Sequence, residues 1–184
     1  MEYVLQTNVL CKKYQKFTAL DNLTMHIPKG AIYGFIGKNG AGKTTLIRLL
    51  CGLQQPTSGE LSLYGTLHSQ PQIQNARKRI GAVVETPSIY LDMTAEENLR
   101  QQFQILGLPS YREISGLLQL VGLQDTGKKK AKHFSLGMRQ RLGIAIALCG
   151  NPDFLILDEP VNGLDPQGII EIRELILKLN RERQ

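Results

Sequence analysis

Two short stretches of this chain bring together residues that could do phosphate chemistry. The first, Gly37-Lys38-Asn39-Gly40-Ala41-Gly42-Lys43-Thr44-Thr45, fits the pattern G-x-x-x-x-G-K-[ST] of a phosphate-binding loop. Gly37, Gly40 and Gly42 permit backbone torsions and a close approach that a Cβ would block. Lys43 offers charge to β- and γ-phosphates, and the Thr44 hydroxyl is placed to hold Mg²⁺. The second stretch, Phe154-Leu155-Ile156-Leu157-Asp158-Glu159, is four apolar residues closed by two acids. The first acid at such a strand end can hold Mg²⁺ through water, and the second can polarise an attacking water. Asp158 is therefore assigned to the metal and Glu159 to general base work.

Both stretches need scaffolding. A phosphate loop works between a strand and a helix, where backbone N–H groups and a helix N-terminus converge on the anion. Ala31-Ile32-Tyr33-Gly34-Phe35-Ile36 reads as the buried strand before it, and Leu46 to Cys51 as the apolar helix after it. Upstream, Val4–Lys12 and Leu20–Ile27 alternate enough to be strands, separated by the polar turn Lys13-Tyr14-Gln15-Lys16. Glu60–Gly65 reads as a short strand and Arg79–Glu85 as a buried one with a carboxylate at its end. From Thr94 to about Val121 the texture turns helical. Thr94-Ala95-Glu96-Glu97 is a capping box, and Leu99, Phe103 and Leu106 follow at helical spacing. Ser135 caps a helix whose run Leu142–Leu148 is apolar almost without break, which predicts burial on most sides. Pro166 can start a last helix, with Ile169, Ile172, Leu175, Ile176 and Leu179 on its apolar face.

Composition sets the outer limits. The 184 residues, 42% hydrophobic and 21% charged, are enough for a full core and do not suggest disorder. No run approaches the ~18 apolar residues that a bilayer crossing needs, and Met1-Glu2-Tyr3-Val4 does not open a signal peptide. A cytosolic protein is expected, with any membrane role borrowed from a partner. Cys11, Cys51 and Cys149 share no metal-like spacing and read as small buried hydrophobes. The net charge of +6 is densest at Lys128-Lys129-Lys130 and Lys132. No aromatics are interleaved there, so a stacking surface for bases is not expected. A solvated loop is the simpler reading, and a face near anionic lipid headgroups is its alternative.

Phe134-Ser135-Leu136-Gly137-Met138-Arg139-Gln140-Arg141 resembles the signature motif of ATP-binding cassette (ABC) proteins. It lies, as in that family, between the phosphate loop and the second acidic strand. Asn162-Gly163-Leu164-Asp165 resembles the family's D-loop, and Tyr14 sits where the family places an adenine-stacking aromatic. The resemblance covers essentially the whole chain. It implies an α/β fold: a P-loop NTPase core with a mixed sheet, an N-terminal antiparallel β subdomain and an inserted helical subdomain. The expected organisation is one ATP-binding domain over residues 1–184, with core and β subdomain at about 1–85 and 134–184 and the helical subdomain at about 86–133. It also implies an Mg²⁺-dependent ATPase, with Lys43 and Glu159 catalytic. Each ATP would lie between one subunit's phosphate loop and the Ser135–Gly137 signature of a second copy in a head-to-tail dimer. Ser135 at a helix N-terminus is an anion site in its own right, and Gly137 N–H can come close to a γ-phosphate.

Departures from the family pattern carry information too. The usual Ser-Gly-Gly-Gln core reads Ser135-Leu136-Gly137-Met138, and the residue at the end of the first acidic strand is Glu85 where the family has Gln. A carboxylate there can still ligate Mg²⁺ or orient water, at the cost of more negative charge beside phosphates. Leu136-Gly137-Met138 together with Glu85-Thr86-Pro87 resembles the branch tied to bacitracin and lantibiotic resistance. The family's switch histidine has no counterpart, because His26, His68 and His133 all precede the acidic strand. A C-terminally truncated chain that binds nucleotide and turns it over weakly is the resulting expectation. The leading function is the ATP-binding subunit of an exporter, peripheral on the inner face of the membrane through separate permease subunits. No nucleic-acid partner is expected. A soluble ABC-type ATPase of DNA repair or translation is the alternative, although no long heptad pattern or second cassette is present. A non-hydrolysing nucleotide-binding regulatory module is a third reading.

Overall fold

Alternating residues at the start of the chain close into a long hairpin. A computed structural model describes residues 2–182; Met1, Arg183 and Gln184 lie outside the described residues. Strands β1 (Tyr3–Tyr14) and β2 (Phe17–Pro28) pair antiparallel around the turn Gln15-Lys16. The ladder runs on through Lys13↔Thr18 and Tyr14↔Phe17, so the turn is tighter than the four residues the sequence suggests. The other edge of β1 pairs with β3 (Ser58–Leu63), and β4 (Thr66–Leu67) completes a four-stranded sheet in the order β2-β1-β3-β4. Leu5, Leu10, Met25, Leu61 and Leu63 are buried in this unit. So are Leu46, Leu49 and Leu50 of α1 (Lys43–Leu50) and Ile73 of α2 (Ile73–Arg77). The one buried hydroxyl in β1 is satisfied twice: Thr7 Oγ1 donates to Leu23 O at 2.9 Å and accepts from Met25 N–H at 3.1 Å. Arg77 ties the C-terminal turn of α1 by donating to Leu50 O at 3.2 Å.

The expected strand over 31–36 does not form. The segment has no assigned strand, and Ile32, Tyr33, Phe35 and Ile36 are exposed, Ile36 by 94%. Its composition suits a sheet, but no described strand pairs with it. Strand propensity cannot hold an extended chain whose N–H and C=O groups lack a ladder.

These elements make one compact unit, which ends at Ile80; a second begins at Gly81. There β5 (Ile80–Val83), which starts on the boundary residue, pairs with β6 (Phe154–Leu157) in a small parallel sheet. The helices α3 (Ala95–Ile105), α4 (Ile114–Leu120), α5 (Leu136–Ala147) and α6 (Pro166–Glu182) supply most of the core. Leu99, Phe103, Leu117, Val121, Phe134, Leu142, Ile144, Leu148, Ile172 and Leu179 meet there. The capping box of α3 is present: Glu97 N–H donates to Thr94 Oγ1 at 3.2 Å, and Thr94 N–H to Glu97 Oε2 at 2.7 Å. In α5, Leu142 to Ala145 are buried as the apolar run requires. Strand β6 is not fully buried: Ile156 is, while Phe154, Leu155 and Leu157 are half-buried, because a two-stranded sheet leaves each strand an open edge. On α6, Ile172, Leu175 and Leu179 of the apolar face join the core, and Ile176 packs against it. The exposed apolar residues of that helix are Ile169, Ile170 and Leu177.

The fold is thus α/β, with an antiparallel sheet, a parallel sheet and a helical region between β5 and α5. That region is built of short helices, and α3, the longest, has 11 residues, so no coiled coil interrupts it. Among the described residues no helix is long and apolar enough to cross a membrane.

Candidate nucleotide site

The phosphate loop sits directly on the head of α1. Gly42 is the N-cap, in the left-handed region at φ 85°. A Cβ there would lie 2.1 Å from Ala19 O and 2.9 Å from Leu20 Cδ2, so glycine is required by both torsion and space. Gly40 shares the torsion at φ 81°, but a Cβ would meet nothing within 4 Å. Ala41 N–H donates to Lys38 O at 3.1 Å, closing the tip around exposed Asn39. Lys43 folds back into the loop, where its ammonium donates to Gly37 O at 2.8 Å and Lys38 O at 3.2 Å. Thr44 and Thr45 are half-buried in the first turn of α1. The loop therefore presents a compact ring of backbone headed by a lysine, which can grip a polyphosphate.

Tyr14, at the end of β1 in the same unit, is 37% exposed. Its hydroxyl donates to Gln54 Oε1, and Lys12 Nζ lies 5.1 Å from its ring centroid. The sequence reading missed these two fixings. It also missed Phe17, which pairs with Tyr14 across the turn and is 59% exposed. An aromatic one turn away on a hairpin is visible in the sequence only once the register is known.

The second unit holds the acids and the signature. Asp158 N–H donates to Val83 O at 2.9 Å, which sets the ends of β5 and β6 side by side. Glu85 and the pair Asp158-Glu159 are thereby carried at one end of the small sheet. Asp158 is 5% exposed, while Glu85 and Glu159 are exposed. Glu85 and Glu159 both have left-handed backbone, at φ 60° and 46°. Non-glycine residues there cost about 1–3 kcal/mol each and cluster at functional sites. Asn162 Nδ2 donates to Glu159 Oε2 at 3.3 Å, so the D-loop holds the expected base, a contact the motif alone does not reveal.

Ser135 caps α5, its Oγ accepting Met138 N–H at 3.2 Å, and is itself exposed. At Gly137 a Cβ would touch Leu164 Cδ2 at an ordinary 3.7 Å. Local packing therefore does not demand glycine, which leaves access to the helix terminus as its use. The Lys128–Lys132 cluster is partly compensated: Lys132 pairs with Asp92 at 2.8 Å, and Lys129 Nζ lies 5.9 Å from the Phe134 ring centroid.

Oxygen donors of the kind a hard divalent cation takes occur in each unit. Thr44 offers a hydroxyl, Asp158 a buried carboxylate and Glu85 another carboxylate. No group of three or more His, Cys, Asp or Glu side chains that could hold a metal occurs among the described residues. Mg²⁺ does not need such a cage, since it keeps waters and takes substrate phosphates beside one or two protein oxygens.

A family-wide sequence profile described as "ABC transporter" matches residues 20–162. The chain is 48% identical over 183 residues to the bacitracin transport ATP-binding protein BcrA of Bacillus licheniformis, covering all of this chain and 60% of that protein. It is 45% identical over 179 residues to the lantibiotic transport ATP-binding protein SrtF of Streptococcus pyogenes, covering 97% of this chain and 76% of the relative. The chain thus spans about 60% of the length of several relatives it matches. Among solved structures, cbiO1 of Clostridium perfringens, part of the ABC transporter complex cbiONQ, superposes with a TM-score of 0.86 at 29% identity over 99% of this chain and 75% of its own. A dimeric ATP-binding cassette in a post-hydrolysis state, bound to ADP and Pi, does so with a TM-score of 0.82 at 25% identity over 97% of this chain and 83% of its own. Loop, acidic strand and signature recur here in one order and on one fold, and the likeness runs the length of the sequence: the chain belongs to the ABC transporter family.

Proposed function

We propose that the chain is the ATP-binding and hydrolysing part of an exporter of antimicrobial peptides, forming one ATP-binding domain. The observation that carries the nucleotide assignment is the loop at 37–45, locked onto α1 by Gly42 and closed by Lys43. Bacitracin and lantibiotic relatives that match nearly the whole chain support the cargo class. In this reading Gly37, Asn39, Gly40, Ala41, Gly42, Lys43, Thr44 and Thr45 cradle the phosphates, and Lys43 exchanges its two carbonyl partners for phosphate oxygens. Tyr14, exposed at the end of β1, stacks on adenine. Thr44 of the first unit and Asp158 and Glu85 of the second are the residues that would hold Mg²⁺, which when bound would neutralise phosphate charge. Glu159, oriented by Asn162, polarises the attacking water. Ser135 and Gly137 of a second copy close the site through the N-terminus of α5, where the helix dipole favours an anion.

Permease subunits receive the motion through the helical region 86–133 and keep the protein at the inner face of the membrane. ATP closes the dimer and hydrolysis reopens it. The test is Glu159→Gln. ATP affinity measured by equilibrium binding should stay within about twofold, while turnover falls ~10²–10⁴-fold, the usual contribution of general base catalysis. Hydrolysis retained at the parent rate refutes the assignment of Glu159.

A further inference from the structure

The loop that carries Glu85 is fastened at two points beyond it, and neither fastening belongs to the motifs that define the site. The first is a notch in α5. A Cβ on Gly143 would lie 2.5 Å from Pro87 Cβ and 2.8 Å from Pro87 Cγ, so the proline ring occupies the space that any side chain at 143 would need. Glycine inside a helix is otherwise a liability, so its presence here fits the room it leaves. The second is Asn98 of α3, 2% exposed. Its Oδ1 accepts Tyr90 N–H at 2.7 Å, and its Nδ2 donates to Tyr90 O at 3.0 Å and to Thr94 O at 2.8 Å. On the near side the loop is tied to the sheet, since Val83 O accepts Asp158 N–H at 2.9 Å.

Between these ties the chain is stiff. Proline fixes its own φ, and the residue before it, Thr86, is confined to extended backbone. Glu85 is left to absorb the mismatch, and it does so with φ 60°.

We propose that Gly143 and Asn98 are positioning residues for Glu85: the notch at Gly143 seats Pro87, Asn98 holds Tyr90, and together they fix where the Glu85 carboxylate is delivered. This rests on the reading of Glu85 as a metal-side ligand. It makes α5, the helix headed by Ser135, the part that sets the Glu85 loop of its own subunit. Relieving a contact of 2.5 Å moves Pro87 by roughly an ångström, and a misplacement of that size can cost about 10²-fold at a catalytic group.

The experiment compares Gly143→Ala, Pro87→Gly, the double variant, Asn98→Ala and Glu85→Ala in the whole chain. Hydrogen exchange of the nucleotide-free protein is read at 85–93 and along α5, and ATP affinity is measured with Mg²⁺ and with EDTA. Pro87→Gly removes both atoms that the new Cβ would strike. Gly143→Ala should speed exchange at 85–90 at least tenfold and weaken Mg²⁺-dependent ATP binding about tenfold, with little change in EDTA. Against the Pro87→Gly background the same substitution should change either readout less than twofold. Asn98→Ala should free 89–93 and lower the Mg²⁺-dependent affinity in the same direction. A Gly143→Ala protein whose α5 exchanges more slowly while 85–90 is unchanged overturns the proposal, as does an equal effect with and without Pro87. If Glu85→Ala leaves the Mg²⁺ dependence intact, the ligand reading of Glu85 fails, and the exchange pattern alone decides the positioning.

Discussion

Gly42 and Gly40 share a backbone torsion and differ in surroundings, so substituting alanine at each separates two costs in one loop. At φ 81° and 85° an alanine loses about 1–2 kcal/mol relative to right-handed backbone. At Gly40 that is the whole effect, because a Cβ meets nothing within 4 Å. At Gly42 the Cβ also lands 2.1 Å from Ala19 O. A backbone carbonyl in a paired strand cannot swing away, so the loop or β2 must move by more than an ångström. Overpacking of this kind adds about 1–3 kcal/mol. Gly42→Ala should therefore exceed Gly40→Ala by about 1–3 kcal/mol, a further factor of roughly 5–150 in affinity. The assay is titration of each variant with a fluorescent ATP analogue, accompanied by urea unfolding to apportion the loss between binding and folding. Equal losses in the two variants refute the reasoning, because they would mean that the contact with Ala19 carries no energy.

Other consequences are open to measurement. Phe103, 1% exposed in the core of the second unit, should cost about 3–5 kcal/mol on Phe103→Ala in denaturant unfolding. Glu97 titrates below its usual range because it accepts Thr94 N–H and, secondarily, engages the Thr94 side chain. A lowered folded value means that the capping box stabilises α3 above the unfolded carboxylate range and loses that contribution as pH falls through the folded value. An NMR titration of Glu97 should show this, and an unshifted midpoint contradicts it. Burial, with Glu113 nearby, pushes the Cys149 thiol up to about 12. Iodoacetamide at pH 8 should leave it unmodified in the native protein and label it on unfolding, and rapid native labelling contradicts the burial.

Much of the site was legible because its chemistry is local. A phosphate loop, a pair of acids after an apolar run and a helix cap are contiguous signals, and the capping box of Thr94 and Glu97 is met atom for atom. The misses are non-local. Whether 31–36 forms a strand depends on a neighbour to pair with, which apolar composition does not report. The α6 face is settled by which helices pack on it: periodicity groups Ile169 with Ile172, Leu175 and Leu179, yet Ile169 stays exposed. Pro87 against Gly143 joins residues 56 positions apart and leaves no pattern in either segment. The left-handed backbone of Glu85 and Glu159 is likewise a product of the ties around them, since neither side chain favours it.

The exposed segment at 31–36 has a colloidal consequence. Ala31-Ile32-Tyr33-Gly34-Phe35-Ile36 is six uncharged residues without proline, rich in strand formers, lying open beside Lys29 and Lys38. Such windows are templates for intermolecular cross-β pairing, and flanking charges are the usual brake on it. Two lysines hold off neighbours only while their repulsion is long-ranged, and at 1 M ionic strength the screening length is about 3 Å. High salt should therefore drive this protein toward turbidity, and the stretch that leads into its phosphate loop is where filaments would seed.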